Sequence, residues 1–378
     1  MAHSLRWTLA ATLLTGVAAA APLAAQVSVG GVVYTQYQYQ LASDSLKADS
    51  NVQHIHNFDI TRAYINVTGR FAGGLATRVT ADIFSPSNSS TKHADTLTTN
   101  IPGSRLFRLK YAYVTWTPEG SALTYKIGLM HTPFIDWEEA LWDFRMQGTM
   151  AMERAGYMSS SDFGAGVDGK FNNDQFNFQA GIYNGENYNG ALGDQNKDLM
   201  VRASYRLLAT DDGSRVGGLR ITGYAGLGTP SSGGTRNRFI GMVSYRSMDL
   251  TLAAEYASTT DSVTGGNTST AGGAVSASAK KTGSVISAYG VVHVPQTRWS
   301  VMGRIDITDP NTANNSTATN TDKLTRIIAG VAYQLNPNCR LLADVDLLSY
   351  QSGFTPSASN YAAYANRQTA YFQAMFNF

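Results

Sequence analysis

The sequence predicts an all-β fold, a transmembrane antiparallel β-barrel of about 16 strands. Three observations lead there. Segments along nearly the whole chain alternate apolar and polar residues at period two, the spacing that sends successive side chains to opposite faces of a strand. Long loops rich in Ser, Thr, Gly and Asn alternate with very short turns, as in an up-and-down barrel whose two rims differ. Hydrophobic residues make up 43% of the chain, yet mean hydropathy is −0.18, which one apolar face per strand reconciles.

The elements follow in order. His3 and Arg6 precede an apolar run from Leu9 to Ala21, and Pro22-Leu-Ala-Ala-Gln26 follows, so residues 1–25 have the form of a signal peptide cut after Ala25. Beyond it no apolar run approaches the roughly 18 residues of a membrane helix. Residues 26–378 are then one barrel domain. Strand one alternates Val29, Val33, Tyr37, Tyr39 and Leu41 with Gly30, Tyr34, Gln36, Gln38 and Gln40. The loop Ala42 to Asn57 leads to strand two, Phe58 to Phe71, and Ala72-Gly73-Gly74 turns into strand three, Leu75 to Phe84. After the loop Ser85 to Ser104 come Arg105 to Thr117, a turn at Pro118 to Ser121, and Ala122 to Met130.

Further strands are expected at Asp162 to Phe171, Gln175 to Tyr183, Lys197 to Leu208, Gly217 to Gly228, Arg236 to Arg246 and Asp249 to Thr259. The last are Gly283 to Val294, Arg298 to Thr308, Lys323 to Leu335, Cys339 to Ser349 and Arg367 to Phe378. Low-complexity or polar loops fill Thr260 to Thr282, Asp309 to Asp322 and Tyr350 to Asn366; the first reads as a mobile outer tip. In the last strand Phe372, Ala374, Phe376 and Phe378 share one face. That strand must be covered or must pair with strand one, because an open edge would leave a row of unpaired amides, and closure is the economical answer.

A barrel this wide is not filled by wall side chains, so the face opposite the apolar one lines water. Parity turns inward Arg62, Arg70, Arg78, Arg108, Lys110, Lys126, Lys170, Arg202, Arg206, Arg220, Arg238, Arg246, Arg304, Arg326 and Arg340. The inward acids are Asp82, Asp168, Glu255, Asp306, Asp344 and Asp346, so basic residues lead by fifteen to six. A basic lining concentrates anions. The connection 134–161 holds Trp137, Leu141, Trp142, Phe144, Met146, Met150, Met152 and Met158, too apolar for a loop in water, and is expected to fold into the lumen as a constriction, the alternative being a loop packed on the rim or on a neighbouring subunit. It carries Asp136, Glu138, Glu139 and Asp143 beside Arg145 and Arg154, and so sets acids opposite the basic wall.

Phe58-Asp-Ile-Thr-Arg-Ala-Tyr-Ile-Asn-Val-Thr-Gly-Arg-Phe71, Tyr111-Ala-Tyr-Val114, Lys126-Ile-Gly-Leu-Met-His-Thr-Pro-Phe134, Glu153-Arg154 and Asp162-Phe-Gly-Ala-Gly-Val-Asp-Gly169 resemble, in order, the motifs of phosphate-selective porins O and P. The resemblance implies a sixteen-stranded homotrimeric channel with an inward third loop and an Arg/Lys-lined constriction, to which Arg62, Lys126 and Arg154 correspond. The chain departs from the pattern at Ile135, where a glycine usually follows Pro-Phe, and in the acidity of the loop. The aromatic last strand is similar to the ending by which bacterial barrel-insertion machinery recognises its clients. A location in the lipid of a Gram-negative-type outer membrane follows from these features.

Other chemistry finds little support. His54 and His56 share a strand face without a third metal ligand, and no metal or other cofactor is expected. No nucleophile motif, P-loop or dinucleotide fingerprint points to an enzyme, and the cations expected inside a pore do not suggest nucleic acid. The single Cys339 excludes an internal disulfide. The expected function is passive diffusion of small solutes, with a preference for anions such as phosphate. Alternatives are a channel for a neutral or sugar-like solute stacking on inward Tyr64, Tyr224 and Tyr289, and a structural or adhesive barrel.

Overall fold

Each alternating segment becomes a strand within about three residues of its expected ends. The structure, a computed structural model, describes residues 26–43, 54, 56–84, 105–190, 194–231, 233–262, 268–270, 273–275, 280–312, 323–351 and 366–378. The expected signal peptide and most of the loops Ala42 to Asn57, Ser85 to Ser104, Asp309 to Asp322 and Tyr350 to Asn366 lie outside the described residues. The first eight strands are β1 (Gln26–Ser43), β2 (His56–Arg70), β3 (Leu75–Phe84), β4 (Leu106–Trp116), β5 (Leu123–His131), β6 (Ser161–Phe171), β7 (Phe176–Tyr183) and β8 (Asp198–Leu208). They continue with β9 (Gly218–Gly228), β10 (Thr235–Arg246), β11 (Leu250–Ser262), β12 (Thr268–Thr270) and β13 (Gly273–Val275). The rest are β14 (Lys281–His293), β15 (Trp299–Asp309), β16 (Leu324–Asn336), β17 (Cys339–Tyr350) and β18 (Arg367–Asn377).

Sixteen of these strands pair antiparallel with their neighbours around a closed barrel, while β12 and β13 form a separate ribbon within the Thr260 to Thr282 loop. Closure removes the edges that an open sheet of this size would present. The seam joins β1 to β18 from Val32↔Asn377 to Ser43↔Arg367. The Gly31 N–H donates to the Phe378 carbonyl at 2.9 Å and the Phe378 N–H donates back at 3.1 Å. Only glycine fits there, since a Cβ on Gly31 would lie 2.4 Å from both the Phe378 ring and the Tyr64 carbonyl.

The outer face is apolar, with Val29, Phe107, Ile127, Ile182, Ile221, Val243 and Phe372 exposed. At the turn-side rim Trp116 stacks on Tyr125, Phe171 on Phe176 and Trp299 packs against Tyr333, an aromatic girdle at one membrane interface. Among the described residues no helix is long and apolar enough to cross a membrane, as strand crossing requires none.

Two bulges re-aim side chains that simple parity misassigns. Between β1 and β2 the register steps from Tyr34↔Arg62 to Thr35↔Ile60, leaving Thr61 as the extra residue. Without that step Phe58 and Arg62 would share a face; with it Phe58 is 84% exposed outside and Arg62 turns inward. Between β3 and β4 the step from Thr80↔Tyr111 to Ala81↔Leu109 leaves Lys110 extra, so Lys110 and Tyr111, adjacent in sequence, are both buried inside.

The seam is testable. Replacing Gly31 with Val should lower the yield of heat-modifiable barrel on unheated gels, because the new side chain meets the Phe378 ring and a backbone carbonyl. An undiminished yield would contradict this closure geometry.

Candidate pore constriction

The link from β5 to β6 enters the barrel because of its own composition. Pro133 starts a short helix, α1 (Pro133–Leu141), where a fixed φ and a missing N–H cost nothing, and one turn follows, α2 (Ala151–Arg154). The sequence predicts a loop for this connection and places no helix in it. Phe134, Trp137, Leu141, Trp142, Phe144, Met150 and Met152 are at most 1% exposed. Each such burial contributes on the order of 1.5 to 3 kcal/mol. Their partners include Tyr34, Tyr224, Ile240, Ala257, Tyr289, Met302, Ile328 and Leu342, contributed by strands on opposite arcs of the wall. Only a segment in the lumen can touch all of them.

A segment in the lumen lacks ladder partners, so its carbonyls need other donors. Wall side chains supply them. Arg215 donates to the Asp136 carbonyl at 2.6 Å, Arg246 to Leu141 at 2.9 Å, Arg340 to Asp143 at 3.0 Å and Gln373 to Met146 at 3.0 Å. Arg304 reaches the Thr149 carbonyl at 3.1 Å and Arg238 that of Tyr157 at 3.1 Å. Guanidiniums cover loop rings as well: Arg304 lies 5.6 Å from Trp142 and Arg340 5.2 Å from Phe144, and Arg202, which bonds Asn177 on the wall, lies 4.4 Å from Trp137.

Loop acids complete the fastening. Asp136 pairs with Arg215 at 2.6 Å, and Asp143 bridges Arg246 at 3.0 Å and His293 at 3.2 Å. Burial alone would raise the Asp136 pKa, but Arg215 and then His131 hold it well below the usual carboxylate range. Glu138 is different. Its carboxyl faces that of Glu255 on β11, and among the described residues no other hydrogen-bond partner reaches either. Burial first, and then the neighbouring Glu255 carboxyl, raise the Glu138 pKa well above its ordinary value. A proton shared between the two carboxyls satisfies both.

The expected site residues separate into two groups. Arg62, Arg78, Arg108 and Lys110 gather on β2 to β4. The Arg62 guanidinium lies 5.0 Å from the Tyr64 ring and 5.6 Å from that of Tyr34. Arg78 donates to Asn66 at 2.9 Å and covers Tyr111 at 4.8 Å. Arg108 pairs with Asp82 at 3.2 Å and meets Asn189 at 2.8 Å, whereas buried Lys110 bonds Ser160. The other four lie elsewhere. Arg70 ends β2, exposed beside the turn, with no hydrogen bond or ion pair among the described residues. Lys126 is paired with Asp168 on β6. Arg145 is held inside the loop by Glu139 at 2.5 Å and Glu153 at 3.5 Å, and Arg154 donates to Gln147 at 3.0 Å. Of the tyrosines proposed to stack on a sugar, Tyr224 lies under Phe134 and Tyr289 under Trp142, both at most 5% exposed. The loop covers them, so only Tyr64 keeps that possibility.

Two groups escaped the sequence reading. His131 stacks on Tyr111 at 3.9 Å and approaches Arg78 at 3.4 Å where the loop leaves the wall; its place just before Thr132-Pro133 was the available signal. The β8 to β9 connection carries buried Val216 and the loop-gripping Arg215 into the barrel. Its length, on a rim of otherwise tight turns, was the clue.

A sequence profile of the phosphate-selective porin O and P family matches residues 33–290, which span the seam region, the cationic strands and the inward loop. The chain belongs to that family. Family and fold make this porin an outer-membrane channel rather than an enzyme of any usual kind. It is similar in fold to an anion-selective porin from Comamonas acidovorans, at 11% identity and TM-score 0.63, over 94% of this chain and 100% of that one. OmpF of Salmonella typhi, solved with daunomycin, has 13% identity and TM-score 0.60 over 93% and 97% of the two chains. The channel DcaP of Acinetobacter baumannii has 12% identity and TM-score 0.57 over 94% and 97%. No curated protein sequence matches this porin.

The carboxyl pair makes this porin's loop packing pH-dependent. A raised folded pKa means that the folded state holds the Glu138 proton more tightly, so the contribution is full below the ordinary value of 4.5 and is lost as pH climbs towards the folded value. The thermal unfolding midpoint in detergent should fall between pH 5 and pH 8, and Glu138→Gln should flatten that fall. Equal pH slopes for the two proteins would refute the shared proton.

Proposed function

We propose that this porin is a passive diffusion channel for small hydrophilic solutes that prefers anions, phosphate among them, and selects where β2 to β4 face the inward loop. One observation carries the reading. The Arg62 guanidinium forms no hydrogen bond or ion pair among the described residues and lies over the Tyr34 and Tyr64 rings. Arg78 beside it likewise has no acidic partner there. On the opposite arc Arg246, Arg304 and Arg326 are neutralised by Asp143, Asp306 and Asp346. Positive charge without a contacting acid therefore stands at Arg62 and Arg78, with Glu139, Glu153 and Asp82 acting on Arg62 only at longer range, and a confined path amplifies what remains.

The name of the Comamonas acidovorans neighbour supports anion preference as an analogy of fold. A homotrimer is proposed on the same footing, since one Vibrio cholerae neighbour at 11% identity is described as a trimer form. Residues 1–25 are proposed to direct export, the aromatic last strand to engage the insertion machinery, and the short turns to face the periplasm.

Replacing Arg62 and Arg78 together by Gln should reduce anion-over-cation permeability several-fold, read as a shift of the zero-current potential in a KCl gradient. Replacing Arg246 by Gln should instead increase current noise, since that residue grips loop carbonyl and carboxylate. An unmoved potential in the double variant would overturn selection at this wall.

A further inference from the structure

The cations on the β2 to β4 side share an arrangement that bears on which anions they serve. Each lies against an aromatic ring. Arg62 is flanked by Tyr34 and Tyr64, and Arg78 covers Tyr111 at 4.8 Å. Lys110 stands 4.2 Å from the Tyr188 ring, and Arg108 is 4.6 Å from Tyr188 and 5.3 Å from Phe84. Rings and positive charges thus interleave along one wall. Lys110 and Tyr111 are buried beneath it, while Arg62, Tyr64, Arg78, Arg108 and Tyr188 keep partial exposure.

Acids stand close by. Glu139 and Glu153 on the loop are within electrostatic range of Arg62, as is Asp82 on β3, which Arg108 binds at 3.2 Å. A compact dianion with localised charge must lose much of its hydration beside these carboxylates, and it gains nothing from the rings. A planar monoanion meets different conditions. Its carboxylate can take an edge of the Arg62 guanidinium that no described residue bonds, and its ring can join Tyr34 and Tyr64 around that cation, so charge and face are both matched.

We propose that the Arg62 wall favours monoanions carrying a π face, aryl carboxylates as a class, over inorganic phosphate. The inference rests on the anion-preferring reading of the same wall. It assigns Tyr64 and the planar face of Arg62 a part in choosing among anions, and leaves the discrimination of anion from cation to charge.

The test uses the full-length porin in planar bilayers, with bi-ionic zero-current potentials for potassium benzoate, potassium cyclohexanecarboxylate and potassium phosphate, each against potassium chloride. Benzoate and cyclohexanecarboxylate have the same charge and nearly the same size, but only one has a π face. Benzoate should be about two- to five-fold more permeant than cyclohexanecarboxylate, the range expected of one exposed cation–π contact. It should also exceed phosphate. Arg62→Lys, which keeps charge and loses the plane, and Tyr64→Leu should each bring the ratio towards one, in channels whose folding is verified by heat-modifiable migration. Anion selectivity in KCl with a wild-type ratio near one, or with phosphate ahead of benzoate, would overturn this inference alone. Absence of chloride-over-potassium selectivity in those channels would overturn the anion-preferring reading and this inference with it.

Discussion

A backbone segment that enters a barrel without joining the sheet must find donors for its carbonyls, and the rest of this structure follows from how that requirement is met. Arg215, Arg238, Arg246, Arg304 and Arg340 point inward and donate to loop carbonyls from Asp136 to Tyr157. The guanidiniums of Arg238, Arg304 and Arg340 also lie against loop rings, so these three satisfy a polar group and cover an apolar one. Arg suits this role better than Lys, because its planar fork donates in several directions while its face stacks. The loop in turn supplies the apolar surface that makes such deep burial favourable.

That arrangement divides the wall electrostatically. Where the loop leans, arginine charge is offset by Asp136, Asp143, Asp306 and Asp346 and by the loop dipoles. Across the passage Arg62 and Arg78 form no ion pair among the described residues, and Glu139, Glu153 and Asp82 act on Arg62 only at longer range. On the proposed reading, the placement of one loop bears on two properties, the width of the path and the side on which its charge is less closely paired. Glu138, which has no basic partner in contact, is instead set against Glu255, so that burial and the neighbouring carboxyl make it hold its proton more tightly than usual.

The barrel was legible in the sequence because its signals are local: period-two alternation, loop lengths that alternate, and an aromatic last strand. The loop was legible too, since Trp137, Trp142 and Phe144 could not remain in water. What could not be read was pairing. Fifteen inward cations suggested a basic lumen, but a residue's parity does not say which acid or carbonyl will meet it, and several, Arg238, Arg246, Arg304 and Arg340 among them, meet the loop. Lys126 is the clearest case, inward as expected yet joined to Asp168 two positions before Lys170 on the next strand. The bulges at Thr61 and Lys110 were equally hidden, because an extra residue leaves no mark when flanking residues suit either face.

The central claim is that the segment from Phe134 to Ser160 is held inside the lumen. In a Cys339→Ser background, a cysteine placed at Gln147, which is 8% exposed and bonded to Asp344 and Arg154, can be compared with one at exposed Lys280. Labelling intact cells with a bulky, membrane-impermeant maleimide should modify the Lys280 position rapidly and the Gln147 position far more slowly. Equal rates at the two positions would place the loop on the surface and contradict the account.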